Sequence, residues 1–361
     1  MDVLREDLLL TCSRKNITFI LFLLMTCCGC AKTGYLIEQG LGQIKILHGA
    51  RPNKEVLQDV KIPQGHKDKI KQIQKYKKFF YDFFAKKSTA IYDQTTLLDR
   101  SAVSYLVIVS PYYKVQAEKE CFPFMGCFPY IGFFNKDSAE KYARDKGAEF
   151  ITYIRPVFAY STLGYFTDTI LSSFFYYDQY DLAEMIFHEL FHTIFFFKNE
   201  VEFNENLANF FAEKILEDYF QFTETDILKR AQEKKNTAML NEAVVNLVLE
   251  LNDKYAAMLN KTPELSHRIL NEFIADTFNP KIENLCKINK IKKERCFPLK
   301  KSWNNASFAA FLTYQKSAEK IAVLYKHLNL PLKEFLSYIE AKENEFKKKK
   351  LNNFSEFLLK L

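Results

Sequence analysis

A chain of 361 residues that is 48% hydrophobic and 26% charged is long enough to bury a sizeable core and too polar for a multi-span membrane protein. Its formal charge of +7 comes from lysines spread along helical stretches, with neither the Gly-flanked aromatics of an RNA-recognition module nor a paired Cys/His finger, so no nucleic-acid partner is expected. The 35 Phe and 20 Tyr supply large rings for a core or a substrate groove, and composition does not choose between them.

At the N-terminus, Arg14 and Lys15 precede an apolar run, Ile17 to Met25, which leads into small and thiol residues ending at Gly29-Cys30. This is the layout of a signal peptide, and the run is shorter than the roughly 20 apolar residues that a permanent span needs. Thr26-Cys27-Cys28-Gly29-Cys30 resembles a bacterial lipobox. The resemblance implies a leader over 1–29, acylation of Cys30, and a chain tethered to the membrane by its N-terminal lipid in a bacterial cell envelope, facing the periplasm. Cys28 is the alternative acylation site, and an uncleaved anchor helix is the alternative to processing.

Residues 30–100 are expected to form an N-terminal helical arm, with helices over Gly34 to Ala50 and Lys67 to Lys87. From Val103 to Phe134 the signals turn to short β-branched and aromatic runs, Val107-Ile108-Val109 and Tyr130 to Phe133, broken by prolines. A helix from Asp137 to Asp145 follows, then one or two strands over Phe150 to Tyr160, interrupted at Pro156. Helical periodicity dominates thereafter: Asp181 to Phe197, Asn204 to Phe222, Glu224 to Asn260 and Phe308 to His327, then a basic amphipathic tail from Pro331. The segmentation expected is a catalytic core over 101–222 and a helical region over 223–361. In an oxidising periplasm, Cys121 with Cys127 and Cys286 with Cys296 are close enough in sequence for local disulfides. A zinc site built from these four is the rival reading, although neither pair has the spacing of a zinc knuckle.

Chemistry concentrates at Phe187 to Thr193, where His188 and His192 stand four apart on an apolar helical segment. Positions i and i+4 are neighbours on a helix surface, close enough for both imidazoles to bind one tetrahedral ion. Glu189 is one residue around the helix, placed to take a proton from a zinc-bound water rather than to ligate. Downstream, Asn204-Glu205-Asn206-Leu207-Ala208 resembles the Asn-Glu-x-x-Ala signature of gluzincin peptidases, which implies Glu205 as the third ligand, delivered by a second helix after a reversal over Lys198 to Glu202. Glu200, Glu202 and Glu213 are rival ligands.

Pro156 to Phe166, together with Gly34-Tyr35-Leu36, Gly42-Gln43, Cys121-Phe122-Pro123, Tyr130 to Phe134 and Asn304-Asn305-Ala306, is similar to a bacterial family of predicted aminopeptidase lipoproteins. Tyr165 departs from the family, where Trp is expected. The resemblance implies an α+β, zincin-like (gluzincin) fold with a small sheet and a predominantly helical C-terminal half, a Zn2+ cofactor and a peptide or protein substrate.

In gluzincins the substrate lies along an edge strand before the metal helix, which makes Val157 to Thr162, with Ser161, the candidate here; an ordinary core strand is the alternative. Tyr160, Tyr165 and Tyr314 are candidate hydroxyl donors to the developing oxyanion, and Asp168 and Glu184 candidate holders of a substrate ammonium. His48, His66, His267 and His327 have no partner at ligand spacing. The function expected is zinc-dependent aminopeptidase action. The alternatives are an envelope endopeptidase and a non-catalytic zinc lipoprotein that binds a partner.

Overall fold

The computed structural model describes residues 30–122, 126–159, 167–198, 200–313, 319–349 and 353–359. The chain is mixed α+β and mostly helical. The first described elements are helix α1 (Cys30–His48), strand β1 (Ala50–Pro52), α2 (Asn53–Gln58) and α3 (Gln64–Phe84). Then come β2 (Gln94–Thr96), β3 (Ser104–Ser110), β4 (Glu120–Phe122), β5 (Gly126–Phe128), β6 (Ile131–Phe133), α4 (Lys136–Lys146), β7 (Ile151–Val157) and β8 (Ile170–Leu171). A 3-10 turn over Ser172–Tyr176 leads into α5 (Gln179–Phe191) and α6 (Val201–Phe220), followed by the long α7 (Glu224–Ala256) and α8 (Pro263–Phe273). The chain closes with α9 (Asn279–Ile288), α10 (Asn305–Thr313), α11 (Glu319–Leu328), α12 (Leu332–Lys349) and α13 (Phe354–Leu358). Among the described residues, no helix is long and apolar enough to cross a membrane.

One small sheet has the order β1-β2-β8, with β2 and β8 parallel, and another the order β6-β3-β7, antiparallel throughout. The third pairing is the β4–β5 hairpin, where Cys121 and Cys127 are register partners joined by a disulfide; Cys286 and Cys296 are joined likewise. β7 runs unbroken through Pro156, which stands opposite Tyr105. The expected interruption fails because β7 is an edge strand, where a residue lacking an N–H is tolerated.

Strand alternation explains how β3 serves two cores. Tyr105, Val107 and Val109 pack with Ile131, Phe133 and the Ala139–Ala143 face of α4. Ile108 points the other way, into a cluster with Leu240 and Val244 of α7, Phe273, Phe278 and Phe308. The largest cluster unites Ile70 to Phe84 of α3, the apolar faces of α5 and α6, and Phe335, Ile339, Phe346 and Phe354 of the last helices. Apolar packing therefore crosses both expected segment boundaries, at 100 and at 222.

The functional helices sit in that cluster. Phe191 of α5 stacks on Phe211 of α6 at 4.5 Å, and Phe211 in turn stacks on Phe335. Ala183 and Ala208 are fully buried, and their small side chains let α5 and α6 approach closely.

Helix α5 is shorter than its apolar pattern suggests. Asp178 caps its start through the N–H groups of Tyr180 and Asp181. It ends at Phe191 because the Thr193 hydroxyl bonds the Leu190 carbonyl at 2.6 Å, leaving His192 as the C-terminal cap residue. Apolar residues continue to Phe197 beyond the helix, first through turns in which Ile194 N–H and Phe195 N–H bond Phe191 O; Phe195 is buried but Phe196 is exposed, so hydrophobicity alone overran the helix. The tail divides into α12 and α13, and Asn353 caps the latter through the Glu356 N–H.

Candidate metal centre and active site

His188 lies in the last turn of α5 and His192 just beyond its last residue. Their ring centroids are 4.9 Å apart, and their Nε2 atoms 3.2 Å. Glu205, in the second turn of α6, brings Oε2 to 3.2 Å from His188 Nε2 and Oε1 to 3.4 Å from His192 Nε2. Among the described residues these three form the one group of potential metal ligands whose donor atoms all lie within 4.8 Å of one another. The His192 side chain is only 5% exposed whereas Glu205 is 44% exposed, so the cluster is walled on the histidine side and opens to solvent past the carboxylate.

Asn204 explains how a short connection delivers Glu205. Its buried amide accepts from the Phe197 N–H at 2.8 Å and donates to the Phe197 carbonyl at 2.7 Å, closing the turn between the helices before Glu205 begins its reach. Replacing Asn204 by Leu strands both backbone groups. The expected loss is ~1–3 kcal/mol per unsatisfied group, read by chemical denaturation, with zinc affinity falling in parallel.

The outer sphere contains a residue that motif spacing did not single out. Asn209, one turn beyond Glu205, places Oδ1 2.8 Å from His188 Nδ1. An amide oxygen only accepts, so His188 carries a proton on Nδ1, and Nε2 is the nitrogen that faces the cluster. Asn209→Leu is expected to weaken zinc binding ~10–100-fold with the fold intact, as measured by competition with a chromogenic chelator.

The charges converge on the same point. Hydrogen bonds from His188 and His192 hold the Glu205 carboxyl down to about 2, against the opposing effect of burial. Burial pulls the His188 imidazolium down, but the bond to Glu205, the charges of Glu189 and Glu205, and Asn209 together lift it above its ordinary value. Without a metal, a proton shared with Glu205 stabilises the cluster. A divalent cation supplies the same positive charge, and two imidazoles with one carboxylate, on two packed helices, fit the three-ligand set of a catalytic zinc.

Glu189 is half-buried beside His188. Its charge is felt by buried Tyr92, which has a left-handed backbone (φ 61°) and is held by Tyr92 N–H to Asp168 O at 2.8 Å and Asn53 Nδ2 to Tyr92 O at 2.8 Å. Burial first, then the Glu189 carboxylate, pushes the Tyr92 hydroxyl well above its ordinary range, so it stays protonated. No spacing rule links residues 92 and 189, and only the fold brings them together.

The rival ligands have other work. Glu200 accepts from the N–H groups of Phe354 and Ser355, tying down α13, and Glu213 pairs with Lys234. Glu202 lies in the first turn of α6 rather than in a loop, and it is not among the three converging groups. Glu184 bonds Arg230 at 3.2 Å, and burial raises its carboxyl. Tyr160, Ser161, Tyr165 and Tyr314 lie outside the described residues; of the expected substrate strand, Val157 is the last residue of β7. His66 packs on Phe175 and His267 on Tyr112, away from the cluster.

No match was found among curated proteins or among solved structures. Residues 34–353 match a family model described as "Putative aminopeptidase", a span that includes α5, α6 and all three converging groups. The chain belongs to that aminopeptidase family.

Proposed function

We propose that the chain is a zinc-dependent aminopeptidase of the gluzincin type, with a zincin-like arrangement around α5 and α6, anchored through acylated Cys30 in a bacterial envelope and facing the periplasm. The observation that carries the reading is the convergence of His188, His192 and Glu205 within 4.8 Å, with Glu189 beside them on α5. Membership of the aminopeptidase family supports the reaction class.

His188, His192 and Glu205 would hold the zinc ion, which would supply Lewis acidity toward the scissile carbonyl and acidify water. Glu189 takes the proton from the attacking water on its carboxylate and passes it to the nitrogen of the leaving amine. Asn209 keeps His188 in the ligating tautomer, and Asn204 fixes the helix that carries Glu205.

The test is metal removal from the purified chain. Dialysis against a chelator is expected to abolish cleavage of aminoacyl anilides, and one equivalent of zinc to restore it, whereas magnesium does not. Full activity in the chelated protein would reject the proposal.

A further inference from the structure

Helix α1 is amphipathic in an unusual sense, because its two faces are both apolar and only one of them is packed. On the packed side Tyr35 stacks on Phe122 and meets Phe133 edge-on, Ile46 is buried, and Gly42 lies so close to Phe134 that a Cβ there would fall 2.2 Å from its ring. This is a close approach that glycine permits. On the opposite side Ile37, Leu41 and Ile44 are 59%, 61% and 60% exposed, with Leu36 at the margin. They are spaced by four and three residues, so they form one stripe along the helix.

Single exposed apolar residues are ordinary, but a contiguous stripe marks a surface that something covers. Its occupant follows from the place of Cys30. Cys30 is the first described residue of α1, and position 30 is seven residues, two helical turns, before Ile37. Position 30 therefore shares the helical face of Ile37, Leu41 and Ile44.

We propose that the Ile37–Leu41–Ile44 face of α1 lies in the interface of the phospholipid bilayer, as a second contact beside the acylated N-terminus. The inference rests on the anchoring of Cys30 and is independent of the peptidase chemistry. α1 then acts as a rigid bracket: it is bound to lipid by one face, and by the other to Phe133 and Phe134 at β6, through Tyr35 and Gly42, and to the largest core cluster, through Ile46. This fixes the orientation of the protein on the membrane, where a flexible tether leaves it free to tumble.

The chain contains a single tryptophan, Trp303, which is buried, so an added one is readable by difference. Leu41→Trp is compared with Leu259→Trp, whose position is 99% exposed on the loop after α7. Both full-length chains are reconstituted in phosphatidylethanolamine and phosphatidylglycerol vesicles, with and without bromine on the acyl chains. The tryptophan at position 41 is expected to emit further to the blue and to lose most of its fluorescence to the brominated lipid, while that at 259 is unaffected. Equal quenching at the two positions overturns the proposal. So does shielding of position 41 that grows with protein concentration in the absence of vesicles, which would assign the face to a second copy. A chain that does not float with the vesicles removes the anchor and the inference together, and leaves zinc binding and peptide cleavage by the same preparation to stand or fall separately.

Discussion

Glu189→Gln is expected to keep its zinc and its thermal midpoint while kcat falls on the order of 10²–10⁴-fold, the usual contribution of a positioned general base. The amide has the shape of the carboxylate but cannot accept a proton from water, so the substitution removes a proton-transfer step and leaves packing intact. Glu189 lies outside the group of His188, His192 and Glu205 whose donor atoms converge, and for that reason metal content should not change. Metal analysis of the variant, together with its kcat and KM, separates the two roles: loss of zinc would make Glu189 a ligand, and unchanged kcat would remove it from the chemistry.

Glu205→Ala is expected to act on the opposite term. It removes the one carboxylate of the three converging groups and leaves the imidazoles of His188 and His192 facing each other across 3.2 Å. Zinc affinity should fall by more than the ~10–100-fold expected of an outer-sphere change, and activity at limiting zinc should disappear. The pH dependence carries a second signature. In the intact cluster His188 is raised above its ordinary value, with the bond to Glu205 the largest of the raising influences, so protons compete with zinc from a higher pH downward and affinity drops as pH falls through that value. Without Glu205, burial dominates, and the competition should move to lower pH. Zinc titrations across the histidine range read this shift directly. Affinity in the variant equal to that of the parent would exclude Glu205 as a ligand.

The convergence of His188, His192 and Glu205 was legible in sequence for two reasons: residues four apart share a helical face, and the resemblance of Asn204 to Ala208 to a gluzincin signature pointed to Glu205. The supports were not legible. Asn209 reads as one more polar residue on an apolar helix until its amide is seen 2.8 Å from His188, and Tyr92 is joined to the site only through tertiary folding. Helix limits failed where local chemistry overruled hydrophobicity. The Thr193 hydroxyl stops α5 although apolar residues run on to Phe197, and the edge position of β7 lets Pro156 stay inside a strand. The spacing that suggested a helix over Gly34 to Ala50 did identify one, but apolar periodicity gave no hint that Ile37, Leu41 and Ile44 face outward. A hydrophobic stripe looks the same in sequence whether it meets a core or a membrane.

The most direct test of the central claim is cleavage of one peptide pair, identical but for N-terminal acetylation, by the zinc-loaded parent chain and its Glu189→Gln variant. The parent is expected to release the first residue of the free peptide and to spare the acetylated one, and the variant to cleave neither while holding zinc. Cleavage of both peptides by the parent would contradict the aminopeptidase assignment, and cleavage by the variant at the parent's rate would contradict the role given to Glu189.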